Sequence, residues 1–191
     1  MNKEIRSVQT PIETENRHIT GYGILFESES VDMGYIEIIE RGAITQEQLD
    51  SSDIFFFFNH NEDEVLARST NGVGSLKLTV DNIGVKYEFD APNTQRGDEL
   101  LEHIRRGEIW GASFGFWLPS DGSCERIEKR DGQIYRIITK IPNIIELSCV
   151  FCPAYPDTTC TNRSKESLEE DYAKYVNFIL DEKMQEIVNL L

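Results

Sequence analysis

The sequence predicts an α+β protein that is mainly β. Strand-like segments dominate the first 160 residues, one segment has the pattern of an amphipathic helix, and residues 164–191 are polar with apolar residues at helical spacing. A length of 191 residues suits one domain of ordinary size that buries a real core.

The strand predictions rest on runs of apolar, β-branched and aromatic residues. Alternation in residues 76–80 and 85–89, around the turn sequence Asp81-Asn82-Ile83-Gly84, predicts a hairpin with one solvated face. Asp121-Gly122 and Asp131-Gly132 mark two loops. The other predicted strands are residues 19–26, 35–39, 54–58, 109–118, 134–141 and 144–151.

A helix is predicted between the hairpin and the strand at 109–118. Thr94 can cap its start, Leu100, Leu101 and Ile104 lie on one face, and Gly107 ends it. The second helical segment, residues 164–191, contains seven acidic residues and three lysines and has neither glycine nor proline. Two interpretations of this tail stay open: a helix packed on its own domain, or a segment that binds a partner or pairs with itself.

Composition excludes several classes of function. The 19 basic and 34 acidic residues give a formal charge of −15, which argues against binding driven by nucleic-acid phosphates or anionic membranes. No apolar run approaches the roughly 18 residues that a membrane helix needs. Residues 1–6 carry charge with no apolar stretch behind them, so we expect no signal peptide and a cytoplasmic protein with free cysteine thiols.

Three residues are candidates for chemistry. His60, in Asn59-His60-Asn61 after an apolar strand, can serve as a general base, or can be a loop histidine without a role. Ser113 lies between small residues in an aromatic strand, and a serine needs a base to become a nucleophile; the alternative is a strand serine beside a bulge. Glu146 lies in an apolar strand, where a buried carboxylate needs a partner such as a catalytic imidazole; a solvated face or a structural ion pair is the alternative.

The remaining reactive residues have weaker patterns. His103 falls in the predicted helix and is expected to be structural, and His18 precedes the first long strand. Cys149 and Cys152 form one Cys-x-x-Cys pair, with no second pair to complete a zinc site. Cysteines packed as small hydrophobic side chains are the better interpretation, and a zinc or redox role is a distant alternative.

The candidate residues lie in a series of short motifs that covers roughly Arg17 to Arg163. Together and in this order, the motifs resemble the prohead protease family of phages, capsid-maturation serine proteases that are similar to herpesvirus assemblin. The motifs are Gly21-Tyr22-Gly23-Ile24-Leu25-Phe26, Tyr35 to Ala43, Asn59-His60-Asn61 with Val65-Leu66-Ala67-Arg68, Arg106 to Ile109 leading to Ser113-Phe114-Gly115-Phe116, Ile145-Glu146-Leu147-Ser148, and Pro153 to Thr158.

The resemblance implies a fold and a set of roles. It implies an assemblin-like, barrel-type sheet with packing helices, a protease domain at 1–163 and a tail at 164–191 that serves as docking segment, dimer contact or self-cleaved segment. It implies His60 as general base, Ser113 as nucleophile and Glu146 as the residue that orients the imidazole. It implies neither metal nor cofactor.

The resemblance also implies the biological setting. The expected activity is endopeptidase cleavage of scaffold protein or the major capsid protein precursor, and of the protease itself, inside the assembling prohead in the host bacterial cytoplasm. The chain is expected to form a homo-oligomer, such as a dimer, and to bind neither nucleic acid nor membrane. The alternative is a module of the same fold that has lost catalysis and serves capsid assembly.

Overall fold

The computed structural model describes residues 2–151, in which the chain forms thirteen strands and two helices. The helices are α1 (Gln46–Asp50) and α2 (Gln95–Arg105). The strands in chain order are β1 (Asn2–Val8), β2 (Glu13–Glu15), β3 (His18–Leu25), β4 (Ile36–Ile39), β5 (Asp53–Phe58), β6 (Asn61–Thr70), β7 (Val73–Gly74), β8 (Lys77–Val80), β9 (Gly84–Asp90), β10 (Gly111–Leu118), β11 (Glu125–Arg130), β12 (Gln133–Ile138) and β13 (Asn143–Val150).

Within residues 2–151 the strands form three sheets. The largest has six strands in the order β1-β10-β13-β5-β6-β7, and its β13 and β5 run parallel while its other neighbours are antiparallel. A four-stranded antiparallel sheet has the order β2-β3-β9-β8. A three-stranded sheet, β11-β12-β4, pairs β12 with β4 in parallel.

The main core lies between the six-stranded and four-stranded sheets. Phe56 of β5 contacts Tyr87 and Phe89 of β9, with ring centroids 4.8 and 4.6 Å apart. Leu147 of β13 reaches Gly23 of β3, which has no side chain to block it. Burial of these large apolar side chains is the main favourable contribution to folding.

The secondary-structure predictions agree with the structure for the central elements. The hairpin of β8 and β9 is confirmed, as is α2, where the Thr94 hydroxyl accepts a hydrogen bond from the Gly97 amide. Gly107 follows this helix with φ of +69°, the left-handed conformation that ends helices. The loop at Asp131-Gly132 is the turn between β11 and β12.

The mainly β prediction is confirmed, but the barrel-type sheet is wrong for the described residues. Closure needs the two outer strands of a sheet to pair with each other. The outer strands of the six-stranded sheet are β1 and β7, and β7 contains only two residues. The helical tail predicted at 164–191 lies outside the described residues.

A cluster of buried charges joins β1 to the three-stranded sheet. The Arg6 guanidinium donates to both oxygens of Glu37, at 2.5 and 2.7 Å, and to Glu4 at 2.6 Å. Arg136 donates to Glu4 at 2.6 and 2.8 Å and to Glu37 at 2.9 Å, and its Nε reaches Glu125 at 2.6 Å. Burial disfavours the charged forms, but the carboxylates outweigh it and raise the pKa of both arginines.

Removal of the Arg136 charge tests the energetic role of this cluster. Arg136→Met leaves three buried carboxylates with fewer partners, and we expect it to lower the free energy of unfolding by about 3 kcal/mol or more. The control is Arg130→Met on β11, whose ion pair with Glu128 is solvent-exposed and contributes less than about 1 kcal/mol. Urea denaturation measures both, and equal effects would contradict the role of the cluster.

The Glu4 carboxylate predicts a pH dependence of stability. Burial works against its ionisation, but hydrogen bonds and charges from Arg136 and Arg6 keep its pKa below the usual value. Its contribution to stability is therefore present above the unfolded pKa of about 4.3 and is lost as pH falls through the folded pKa. The difference in unfolding free energy between wild type and Glu4→Gln should narrow below about pH 4. A pH-independent difference, or one matched by Glu13→Gln on the exposed β2, would contradict this.

Candidate active site

His60 lies in a tight turn between β5 and β6. Asn59 and His60 both have left-handed φ angles, 50° and 61°, and Phe58 pairs with Asn61 across them. Two such residues form the short turn that suits the twist of a hairpin. The Asn59 amide also donates to the Cys149 carbonyl at 2.9 Å, which joins the turn to β13. The sequence pattern predicts a polar loop after β5. The structure has a turn of only two residues there, and β6 begins directly after it at Asn61.

Glu146 meets His60 across the parallel pair of β13 and β5. The distance from His60 Nδ1 to Glu146 Oε1 is 2.8 Å. The Glu146 side chain is 3% exposed and the imidazole is 28% exposed, so the carboxylate is buried and the ring reaches solvent. This arrangement leaves Nε2 as the nitrogen available for a reacting group when Nδ1 donates to the carboxylate.

Gly115 gives the Glu146 carboxylate its space. It lies opposite Glu146 in the β10–β13 register, and a Cβ atom at this position would approach Glu146 Oε1 to 2.9 Å. A β-bulge follows between Gly115 and Phe116. The glycine two residues after the predicted nucleophile therefore admits the carboxylate that bonds to the imidazole.

Ser113 lies on β10, the strand next to β13, and faces Ser148 in register. Its position two residues from Gly115 places it on the same sheet face as Glu146. The Ser113 hydroxyl donates to the Arg6 carbonyl at 2.7 Å, accepts from the Ser7 hydroxyl at 3.1 Å, and is fully buried. Within residues 2–151 no hydrogen bond joins Ser113 to His60.

The three predicted site residues thus come together on one sheet, although the hydroxyl of Ser113 bonds to β1. Sequence reasoning missed Arg6 and Ser7, because β1 is not predicted as a strand, and gave no role to Ser148. Ser148 donates to Glu146 Oε2 at 2.7 Å and accepts from the His60 amide at 3.3 Å. The signal for Ser148 is its spacing of two residues from Glu146, which puts both on one face of a strand.

The side chains of the other histidines and of Cys149 make other contacts, and the Cys149 thiol faces the Phe57 carbonyl at 3.7 Å. His103 of α2 bonds to Glu108 at 2.6 Å and packs against Phe151, whereas His18 bonds to Asp90 at 2.9 Å on the four-stranded sheet. Burial raises the pKa of Cys149 to about 12, so its thiol is protonated at neutral pH and is a weak nucleophile. Among the described residues, no group of His, Cys, Asp and Glu has the arrangement of a metal site. Cys152 lies outside the described residues.

Comparisons with known proteins settle the family. The sequence model of the caudovirus prohead serine proteases matches residues 3–172. The chain belongs to this family. A search of curated proteins found no match.

A solved structure shares the fold. It is the capsid assembly protease gp21 of bacteriophage T4, with a TM-score of 0.52 at 12% identity, covering 78% of this chain and 96% of that one. The family resemblance seen in the motifs is therefore confirmed, whereas the likeness to assemblin stays a prediction. No helix in residues 2–151 is long and apolar enough to cross a membrane.

Gly115→Ala tests the geometry of the candidate site. The added methyl group must displace the Glu146 carboxylate from His60, and we expect a loss of peptide cleavage of about 10-fold or more in a folded protein. The measurement pairs a cleavage assay with the NMR signal of the His60 Nδ1 proton, which should lose its hydrogen-bonded shift.

The matched control for this substitution is Gly21→Ala, in the four-stranded sheet. Its Cβ would approach the Tyr87 hydroxyl to 2.5 Å, so it also crowds the end of a buried side chain. Equal losses of activity in the two variants would show that general strain, and not the Glu146 position, accounts for the effect.

Proposed function

We propose that this chain is a serine endopeptidase that cleaves scaffold or capsid precursor protein during maturation of the phage prohead. The observation that carries the proposal is the hydrogen bond between His60 and the buried Glu146, one strand away from Ser113, in a member of the prohead serine protease family. A buried carboxylate on one nitrogen of an imidazole is the arrangement that orients a general base.

The proposed mechanism is acyl transfer. Ser113 Oγ attacks the carbonyl carbon of the peptide bond while His60 Nε2 takes the hydroxyl proton, and Glu146 stabilises the imidazolium. The imidazolium then gives its proton to the leaving amine, and the acyl group stays on Ser113. Water attacks the acyl-enzyme, His60 takes the water proton, and its return to Ser113 releases the new carboxyl end.

The hydrogen bonds of Ser113 describe a resting arrangement. In it, the Ser113 hydroxyl donates its hydrogen bond to the Arg6 carbonyl instead of to His60. The proposed reaction requires the Ser113 hydroxyl to exchange the Arg6 carbonyl for His60 Nε2 as its hydrogen-bond acceptor. Hydrogen bonds in catalytic sites without substrate are often not yet in their reactive arrangement, so this state fits a protease that waits for its substrate.

Membership of the family supports the proposed substrate and setting. The T4 relative is described as a capsid assembly protease, and we infer the same class of partner here: scaffold protein, major capsid protein precursor and other copies of this chain, met inside the assembling prohead. A formal charge of −15 disfavours nucleic acid as the partner. The proposed reaction needs no metal or cofactor, because the serine, imidazole and carboxylate supply nucleophile, base and charge stabilisation.

A fluorophosphonate probe tests the nucleophile directly. Its phosphorus forms a bond to an activated serine oxygen as fluoride leaves, and the added mass locates the residue by peptide mapping. We expect labelling of Ser113 in wild type, and a loss of labelling and of precursor cleavage by at least about 10³-fold in Ser113→Ala and His60→Ala.

Ser69→Ala is the matched control, because Ser69 is a buried serine on β6 away from His60. It should label and cleave like wild type. Intact masses of scaffold or capsid precursor, incubated with each variant, measure cleavage. Equal cleavage by wild type and Ser113→Ala would contradict the proposal, and absent labelling and cleavage in concentrated wild type would favour the assembly module without catalysis.

A further inference from the structure

Ser148 links the two residues that the proposed mechanism uses as base and orienting acid. Its hydroxyl donates to Glu146 Oε2 at 2.7 Å, while Glu146 Oε1 faces His60 Nδ1 at 2.8 Å. Both oxygens of the carboxylate are therefore hydrogen-bonded, and the carboxylate cannot rotate without the loss of one bond. A hydrogen bond to a charged group is stronger than one between neutral groups.

The same hydroxyl also holds the backbone of the histidine. The His60 amide donates to Ser148 Oγ at 3.3 Å. His60 and Asn59 have left-handed φ angles, which cost energy for residues other than glycine and persist only where surrounding contacts hold them. The amide of Asn59 is held by the Cys149 carbonyl, so two successive residues of β13 fix two successive residues of the turn.

Complete burial of Ser148 raises the free-energy cost of losing either hydrogen bond. Ser148 is 0% exposed, so water cannot replace a hydrogen bond that its hydroxyl loses. It lies between Ser113 on β10 and Phe57 on β5 in register, at the centre of the six-stranded sheet. The hydroxyl therefore acts on the carboxylate through its proton and on the histidine turn through its lone pair.

We propose that Ser148 is a positioning residue of the protease, which fixes the Glu146 carboxylate and the His60 turn relative to each other. This inference rests on the proposed function of His60 and Glu146. Ser148 does not act as a nucleophile in this assignment, because its proton is held by the carboxylate and Ser113 remains the residue that attacks.

The experiment compares Ser148→Ala, Ser148→Thr and the control Ser69→Ala, using the fluorophosphonate probe. We expect Ser148→Ala to lower the maximal labelling rate of Ser113 by roughly 10- to 100-fold, with probe affinity within about twofold because Ser148 is proposed to act on the labelling step through His60. Ser148→Thr keeps the hydroxyl and should recover most of the rate. Ser69→Ala should behave like wild type.

Thermal unfolding and NMR separate positioning from structural support. The ¹⁵N signals of the His60 imidazole should report a fixed Nδ1–H in wild type and an altered state in a folded Ser148→Ala protein. An unchanged labelling rate and unchanged NMR signals in Ser148→Ala would overturn the inference. The inference would also be overturned if both Ser148→Ala and Ser69→Ala lost labelling rate in proportion to their loss of thermal stability. Disturbed packing would then explain the slower labelling. If Ser148→Thr does not fold, the comparison of the two alanine variants still decides.

The two proposals fail in different ways. Labelling of His60→Ala at the wild-type rate would refute the proposed function. Loss of labelling in His60→Ala, together with a normal labelling rate and unchanged NMR signals in Ser148→Ala, would refute only the positioning role. The NMR comparison tests that role even in a chain that the probe does not label.

Discussion

The geometry of the candidate site depends on the need to satisfy the hydrogen bonds of a carboxylate buried in the middle of a sheet. Glu146 would be strongly unfavourable there without partners. The sheet order β10-β13-β5 supplies the solution, because β10 brings Gly115 to make room, β5 ends at the His60 turn, and β13 itself supplies Ser148. Each neighbour of β13 contributes something that the carboxylate requires, so a change in strand order would remove the site and destabilise the sheet together.

A second set of buried charges supports Ser113, the proposed nucleophile. The Arg6 side chain belongs to the ion cluster with Glu37 and Glu4, while its backbone carbonyl accepts the hydrogen bond of Ser113. The cluster thereby fixes β1 along the edge of β10, where it borders the serine. Arg136 extends the same network to β12. The three-stranded sheet contains none of the proposed catalytic residues, but through this network it holds β1, which contacts Ser113.

The fold was predictable from the sequence where apolar residues dominate, as in β5, β10 and β13, and where turn residues are unambiguous, as between β8 and β9. Strand β1 was not predictable, because two of its charged residues are more buried than an apolar one. Glu4 and Arg6 are buried, while Ile5 is only partly buried. The partners that make this burial favourable, Glu37 and Arg136, are 31 and 132 residues away in the chain. No local pattern contains that information, and the same distance hides the contact of β1 with Ser113.

The candidate site was more predictable than its surroundings. His60, Ser113 and Glu146 belong to motifs that identify the family, and the buried Glu146 could be seen to need a partner. The hydrogen bonds of Ser7 and Ser148 depend on strand register, which the sequence does not specify. The barrel prediction failed for a related reason, since closure is decided by how the outer strands β1 and β7 end.

The pairing of β1 with β10 also sets the order of events during synthesis on the ribosome. The first strand has no sheet partner until residues 111–118 have been made, and His60 meets a carboxylate that lies 86 residues further along the chain. Pairings between such distant segments form slowly and late. In a nascent chain, the proposed catalytic residues therefore cannot come together before β13, the last strand of the six-stranded sheet, has been made.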